Sequence, residues 1–279
     1  MTLTTITGSP LLTPAEVGDL IINPLGEVSI AALVSTYVPT NQSAYRLPVA
    51  TENPATAWVA EGEEIPISEA DMTELATTFR KLAGLTLVSN ELIADSNPQA
   101  AEVIGEGLVR DLAIKTDGAF FGTNTANPKA PAGLQDQPVT DITAGAAWTT
   151  LDPFNAAIYG AANYGRAVTA FVANPTDALT LANLKEGTGS NKTLLQPDPT
   201  LAGRRQVAGV ALHTSPAVTM GEVWAIPQTA AYVVVREDAE AEADASPFFT
   251  SDRTAVRAKL RIDYLFPQPA AIHRITLDG

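Results

Sequence analysis

Apolar residues recur at Ile104, Leu108 and Leu112, with Val103, Val109, Ala119 and Phe120 widening the stripe, which is the spacing of a helix that packs one face. Upstream, Asp95-Ser96-Asn97-Pro98 offers cap residues and a first-turn proline, and Ser96 with Gln99 can form a capping box. The pattern predicts one helix from about residue 98 to Phe121, about seven turns and about 36 Å long. Elsewhere the period is two. Tyr45–Ala50, Ala57–Ala60 and Met72–Val88 alternate, separated by Asn53-Pro54 and by Glu61–Ser68, and predict a long two-stranded excursion. Thr254–Phe266 sets Val256, Ala258, Leu260, Ile262 and Tyr264 against Arg257, Lys259, Arg261 and Asp263, so one face packs and the other is charged.

Residues 1–40 read as an arm, with one short helix beginning at Thr13-Pro14 and a second from Gly26 to Tyr37. Helices of that length are marginal alone and need a surface to lie on. Residues 140–225 mix the two periods: a helix over Asp152–Tyr164, a strand over Ala167–Ala173, and a helix from Asn174-Pro175 to about Lys185. This reads as a compact α/β unit. Gly187–Pro199 is polar and rich in Pro and Gly, and reads as a mobile surface loop. Val223–Arg236 is strand-like, and Ala270–Leu277 is a last strand after Pro267-Gln-Pro269.

Charge changes the picture. The chain carries 31 acids and 17 bases, a formal net charge of −14, which argues against a basic face that grips nucleic-acid phosphates. The excursion holds Glu52, Glu61, Glu63, Glu64, Glu69, Asp71 and Glu74, with no Lys or Arg between Arg46 and Arg80. A hairpin this acidic either is a solvated loop or rests on a complementary neighbour. With 46% apolar residues the chain can bury a sizeable core, and without cysteine it must hold by packing alone. The start lacks the features of a signal peptide, and no run reaches the ~18 apolar residues of a membrane span. The expectation is a soluble protein made in a cytoplasm, with no membrane partner.

Little points to catalysis. The only histidines, His213 and His273, have no carboxylate or serine at a recognisable spacing. Gly187-Thr-Gly-Ser-Asn-Lys-Thr193 suggests a phosphate loop but places Glu186 and Asn191 where glycines are required. The alternating acids of Glu237–Asp244 lack the glycine turn of a calcium loop, and read as a solvated edge that resists unwanted strand pairing. No enzyme activity, cofactor or metal is expected. An arm and a hairpin that cannot bury their own surfaces instead imply self-assembly.

Five blocks then carry a resemblance: Ala57-Trp-Val-Ala-Glu-Gly-Glu-Glu-Ile-Pro-Ile-Ser68, Phe79-Arg-Lys-Leu-Ala83, Val88-Ser-Asn-Glu-Leu-Ile-Ala-Asp-Ser96, Ala113-Ile-Lys-Thr-Asp-Gly-Ala-Phe-Phe-Gly122 and Pro131-Ala-Gly-Leu134. In this order and spacing, over about residues 45–134, they resemble the major capsid protein family of tailed bacteriophages, with its α+β Hong Kong 97-like fold. The resemblance implies an N-terminal arm (1–44), an extended loop (45–79), a peripheral domain with a long spine helix (80–134 and 226–266) and an axial α/β domain (135–225 and 267–279). It further implies hexamers and pentamers of an icosahedral head around double-stranded DNA, assembled in a bacterial cytoplasm with portal and scaffolding proteins and a possible decoration protein. The loop residues Glu61, Glu63, Glu64, Ile65 and Glu69 would meet a neighbouring subunit. Candidate basic partners are Arg80, Lys81, Arg204, Arg205, Arg253, Arg257, Lys259 and Arg261.

The family's namesake joins subunits through a lysine on this loop; here Glu63 and Glu64 occupy that part of it, so a shell without covalent cross-links is expected. The family often carries an N-terminal scaffolding segment, whereas this sequence starts at Met1 almost directly on the arm, so either that segment is removed beforehand or a separate scaffold is expected, Met1 favouring the second. The rival readings are an encapsulin-like nanocompartment of the same fold, and a hydrolase whose paired carboxylates are scattered in sequence.

Overall fold

A computed structural model gives the structure of residues 29–52, 56–64, 66–67, 71–89, 91, 99–125, 127–187, 189–197, 204–236, 241–244 and 252–278. The elements run α1 (Ile30–Val34), β1 (Thr36–Thr40), β2 (Arg46–Glu52), β3 (Asp71–Ala76), β4 (Arg80–Ser89) and the long α2 (Gln99–Phe121). Then come β5 (Thr140–Thr143), α3 (Asp152–Asn163), β6 (Ala170–Ala173), α4 (Pro175–Ala182), β7 (Gln196–Pro197), β8 (Arg205–Val207), β9 (Val210–Thr214) and β10 (Glu222–Ile226). The chain closes with β11 (Tyr232–Arg236), β12 (Ala241–Asp244), β13 (Arg253–Leu265) and β14 (His273–Thr276).

Strand β13 is long enough to serve three partners. Its Arg253–Ile262 stretch pairs antiparallel with β4 along one edge, and along the other it pairs with β12 and then β11, to which β1 adds in parallel. The result is a five-stranded sheet. A seven-stranded mixed sheet has the order β5-β14-β10-β6-β9-β8-β7, and β2 with β3 form a two-stranded sheet of their own.

Two apolar clusters hold these layers. In the first, Leu112, Ala113, Phe120 and Phe121 of α2 pack on Val233, Val235, Leu260, Ile262 and Tyr264 of the five-stranded sheet and on Ala31 and Val34 of α1. The Phe120 ring meets Phe121 and Tyr264 edge-on at 5.1 and 5.2 Å, the geometry aromatic quadrupoles favour. Trp224 and Ile226 of β10 belong to the same cluster, which joins the two sheets into one packed body. In the second, Phe154, Ala157 and Ala161 of α3 and Leu181 of α4 cover Phe171, Val223 and Ile275 of the seven-stranded sheet.

Local signals explain several boundaries. The Asn174 side chain accepts from the Thr176 N–H and Pro175 occupies the first turn, so α4 starts there. Past Gly122 the chain packs against the end of α2 so closely that a Cβ on Gly133 would meet the carbonyl oxygens of Ala119, Phe120 and Gly122.

The structure also corrects the sequence reading. The second arm helix stops at Val34, because residues 36–40 extend to pair with β11. Met72–Val88 is two strands, broken at Thr77–Phe79, where the chain leaves the small sheet for the five-stranded one. Ala57–Ala60 is irregular. Val223–Arg236 is likewise two strands, separated at Pro227 and sent to different sheets. The stretch after Gly187 is better ordered by pairing than a free loop. Lys185 bridges Thr193, Leu195 is 1% exposed, and β7 pairs with β8. The acidic strand Ala241–Asp244 pairs with β13, Glu242 standing opposite Arg257. The helix expected at Thr13-Pro14 lies outside the described residues.

Candidate subunit interface

The hairpin β2–β3 contributes to neither sheet nor apolar cluster. Across its strands Arg46 pairs with Glu74 at 3.0 Å, both partners well exposed, worth at most about 1 kcal/mol. Beyond it, Gly62 adopts a left-handed φ of +88° in a turn where the Glu63 N–H donates to the Ala60 carbonyl at 3.1 Å. The Ala60 N–H donates back to the Glu63 carboxylate at 3.2 Å. The turn is therefore shaped by its own groups. Glu61, Glu63 and Glu64 are all exposed on it, and so are Trp58 and Ile67, at 106% and 95% of their reference areas. Sequence reasoning singled out the acids and missed Trp58 and Ile67; the signal was an apolar pair flanking an acidic turn. Ile65 and Glu69 lie outside the described residues.

The candidate basic partners fall into two groups. Register pairs on neighbouring strands share a face, so Lys81 opposite Arg261, Ala83 opposite Lys259, Leu85 opposite Arg257 and Ser89 opposite Arg253 form one stripe on the five-stranded sheet. It runs about 27 Å along β13, with Leu85 and Leu87 protruding from it. Arg80 begins β4 opposite Ile262. Arg204 and Arg205 stand apart, at the start of β8 in the seven-stranded sheet, beside a groove under α4.

One charged-face residue is used inside the molecule. Asp263 is 9% exposed and accepts from the Thr78 N–H at 2.5 Å and from the Tyr264 N–H at 2.9 Å, fastening the base of the hairpin to β13. Burial pushes its carboxyl pKa up, while those hydrogen bonds and the Arg80 charge oppose the rise. Asp117 of α2 does the same for the arm. It receives the Ser29 hydroxyl at 2.7 Å, the Ala31 N–H at 3.0 Å, the Ile30 N–H at 3.2 Å and, more weakly, the Ser215 hydroxyl at 3.5 Å. Burial raises its pKa against those bonds.

Of the two histidines, His213 of β9 lines the groove under α4 and His273 lies in the core. His273 is 2% exposed, with Nδ1 3.1 Å from the Ala271 carbonyl and Nε2 where a Cβ on Gly160 would stand at 2.5 Å. Burial lowers its pKa. Among the described residues, no group of three or more His, Asp or Glu side chains is placed to hold a metal, and no helix is long and apolar enough to cross a membrane.

A long spine helix on a five-stranded sheet, a second mixed sheet with helices, and an isolated projecting hairpin define the Hong Kong 97-like fold of phage capsid proteins. The model of the phage capsid family matches residues 10–277, and the chain belongs to that family. It is a major capsid protein. Similar solved structures include the capsid of an empty GTA particle, at TM-score 0.71 and 14% identity over 100% of this chain and 95% of that one. A chain of Microbacterium phage Oxtober96 matches at 0.70 and 17% identity, over 100% and 96%. One of Mycobacterium phage Adephagia matches at 0.67 and 17%, over 90% of each. Identities this low speak to the fold alone. No curated protein matches the chain by sequence.

Proposed function

We propose that this capsid protein builds hexamers and pentamers of an icosahedral head around double-stranded DNA, held without covalent cross-links. The observation that carries this is the projecting hairpin, whose acidic turn and exposed Trp58 and Ile67 have no cover in their own subunit among the described residues. In this reading residues 45–79 overlap an adjacent copy. Residues 80–134 and 226–266 form the peripheral domain, an assignment favoured by the packing of α2 on the five-stranded sheet. Residues 135–225 and 267–279 form the axial domain, in keeping with the strands of the seven-stranded sheet. The arm of residues 1–44 lies along neighbouring surfaces. Assembly takes place in the host cytoplasm with portal and scaffolding proteins, and the subunit catalyses nothing. Family membership favours this shell over a cargo-holding nanocompartment.

Charge complementarity supports overlap between copies: an acidic turn faces a chain whose cations gather in a stripe on one sheet and a pair at the edge of the other. Single exposed pairs contribute about 0–1 kcal/mol, so repetition around the shell does the holding. Reversing Glu61, Glu63 and Glu64 to lysine lowers the yield of closed shells, counted by electron microscopy; unchanged yield and thermal stability of the shells would remove the idea.

A further inference from the structure

Trp58 needs a concave apolar receptor, and the basic stripe of β4 and β13 is a strand surface with only Leu85 and Leu87 standing out from it. A concavity of that chemistry lies between α4 and the strands β8 and β9. Its volume is ≈ 650 Å³, enough for an indole and its neighbours, and Pro175, Leu179, Ala182 and Leu212 form its apolar walls. Leu179 is 63% exposed. Arg204 and Arg205 stand at its rim. The hairpin turn presents the matching set: an indole fully in solvent, with Glu61 and Glu64 exposed on the same turn.

We propose that Trp58 of one copy seats in the α4–β9 groove of an adjoining copy, with Glu61 and Glu64 against Arg204 and Arg205. This rests on the reading that the loop overlaps a neighbour, and it names the receptor. A buried aromatic anchor ringed by charge pairs is the form that dominates binding energy at protein interfaces, and the exposed acids add registration.

Because the chain has no cysteine, an engineered pair reports the contact without background. Assembled shells of A57C/A182C, oxidised and run on a non-reducing denaturing gel, give a ladder of linked chains, while either single variant gives none. The pair A57C/A83C places the second thiol on the face of β4 instead. A ladder from A57C/A83C alone overturns the groove and leaves the overlap reading standing. Links within one chain, or none from either pair in intact shells, overturn both. If the paired variants do not form shells, charge exchange decides: R204E/R205E lowers shell yield at least tenfold and adding E61R/E64R restores it, whereas no restoration overturns the groove.

Discussion

Asp117 shows how one side chain fixes the start of the described arm. Alone, α1 is a single turn with its first N–H groups unsatisfied. The carboxylate takes two of them, together with the hydroxyls of Ser29 and Ser215, so arm, spine helix and the end of β9 meet on one group. Asp117→Ala strands those donors in a site 6% exposed and costs about 2–3 kcal/mol, measurable by chemical denaturation of unassembled subunits. The pH dependence has a definite sign. Burial raises the folded-state pKa of Asp117 above the usual 3.8, so the folded chain binds that proton more tightly than the unfolded one. Its contribution to stability therefore rises as pH falls through the folded value, and levels off below about 3.8. Asp117→Asn removes that part of the profile, which a series of denaturation curves across the acidic range checks. Sequence gave no sign of this role: Asp117 reads as one more polar residue on a helix, and its partners lie 86 to 98 positions away.

At the scale of elements, the hairpin β2–β3 stands out because an isolated pair of strands is marginal in water. Its amides exchange hydrogen rapidly in unassembled subunits and are protected in the shell, while those of β11 and β13 stay protected in both. Equal protection of the hairpin in both states would contradict its dependence on a neighbour. The spine helix was legible from its apolar spacing, in which Leu112 is buried and Leu108 packs against the core. Strands were harder. Val223–Arg236 reads as one apolar run, yet Pro227 and a short 3-10 turn at Gln228–Ala230 direct its halves to different sheets. Thr36 and Tyr37 read as the tail of a helix until parallel pairing of Thr36–Thr40 with Tyr232–Arg236, almost two hundred residues away, supplies the hydrogen bonds. Such pairings are set by tertiary structure and leave no local signature. The acidic turn was legible as charge; the two groups of candidate basic partners became distinct only when β13 and β8 took their places in separate sheets.

For the whole molecule, a net charge of −14 disfavours adhesion of the wall of a DNA container to its contents. No lysine lies between Arg46 and Arg80, so shells heated in denaturant release single chains on a gel, and a ladder of linked subunits would contradict the noncovalent shell. The central claim is that the subunit is a tile whose projecting hairpin is covered only by another copy. Cryo-electron microscopy of the purified, assembled protein tests it most directly. The account predicts closed hollow particles of six-fold and five-fold capsomers, with density for residues 56–64 of each subunit lying on its neighbour. Compact single subunits with that turn folded against their own sheets would contradict it.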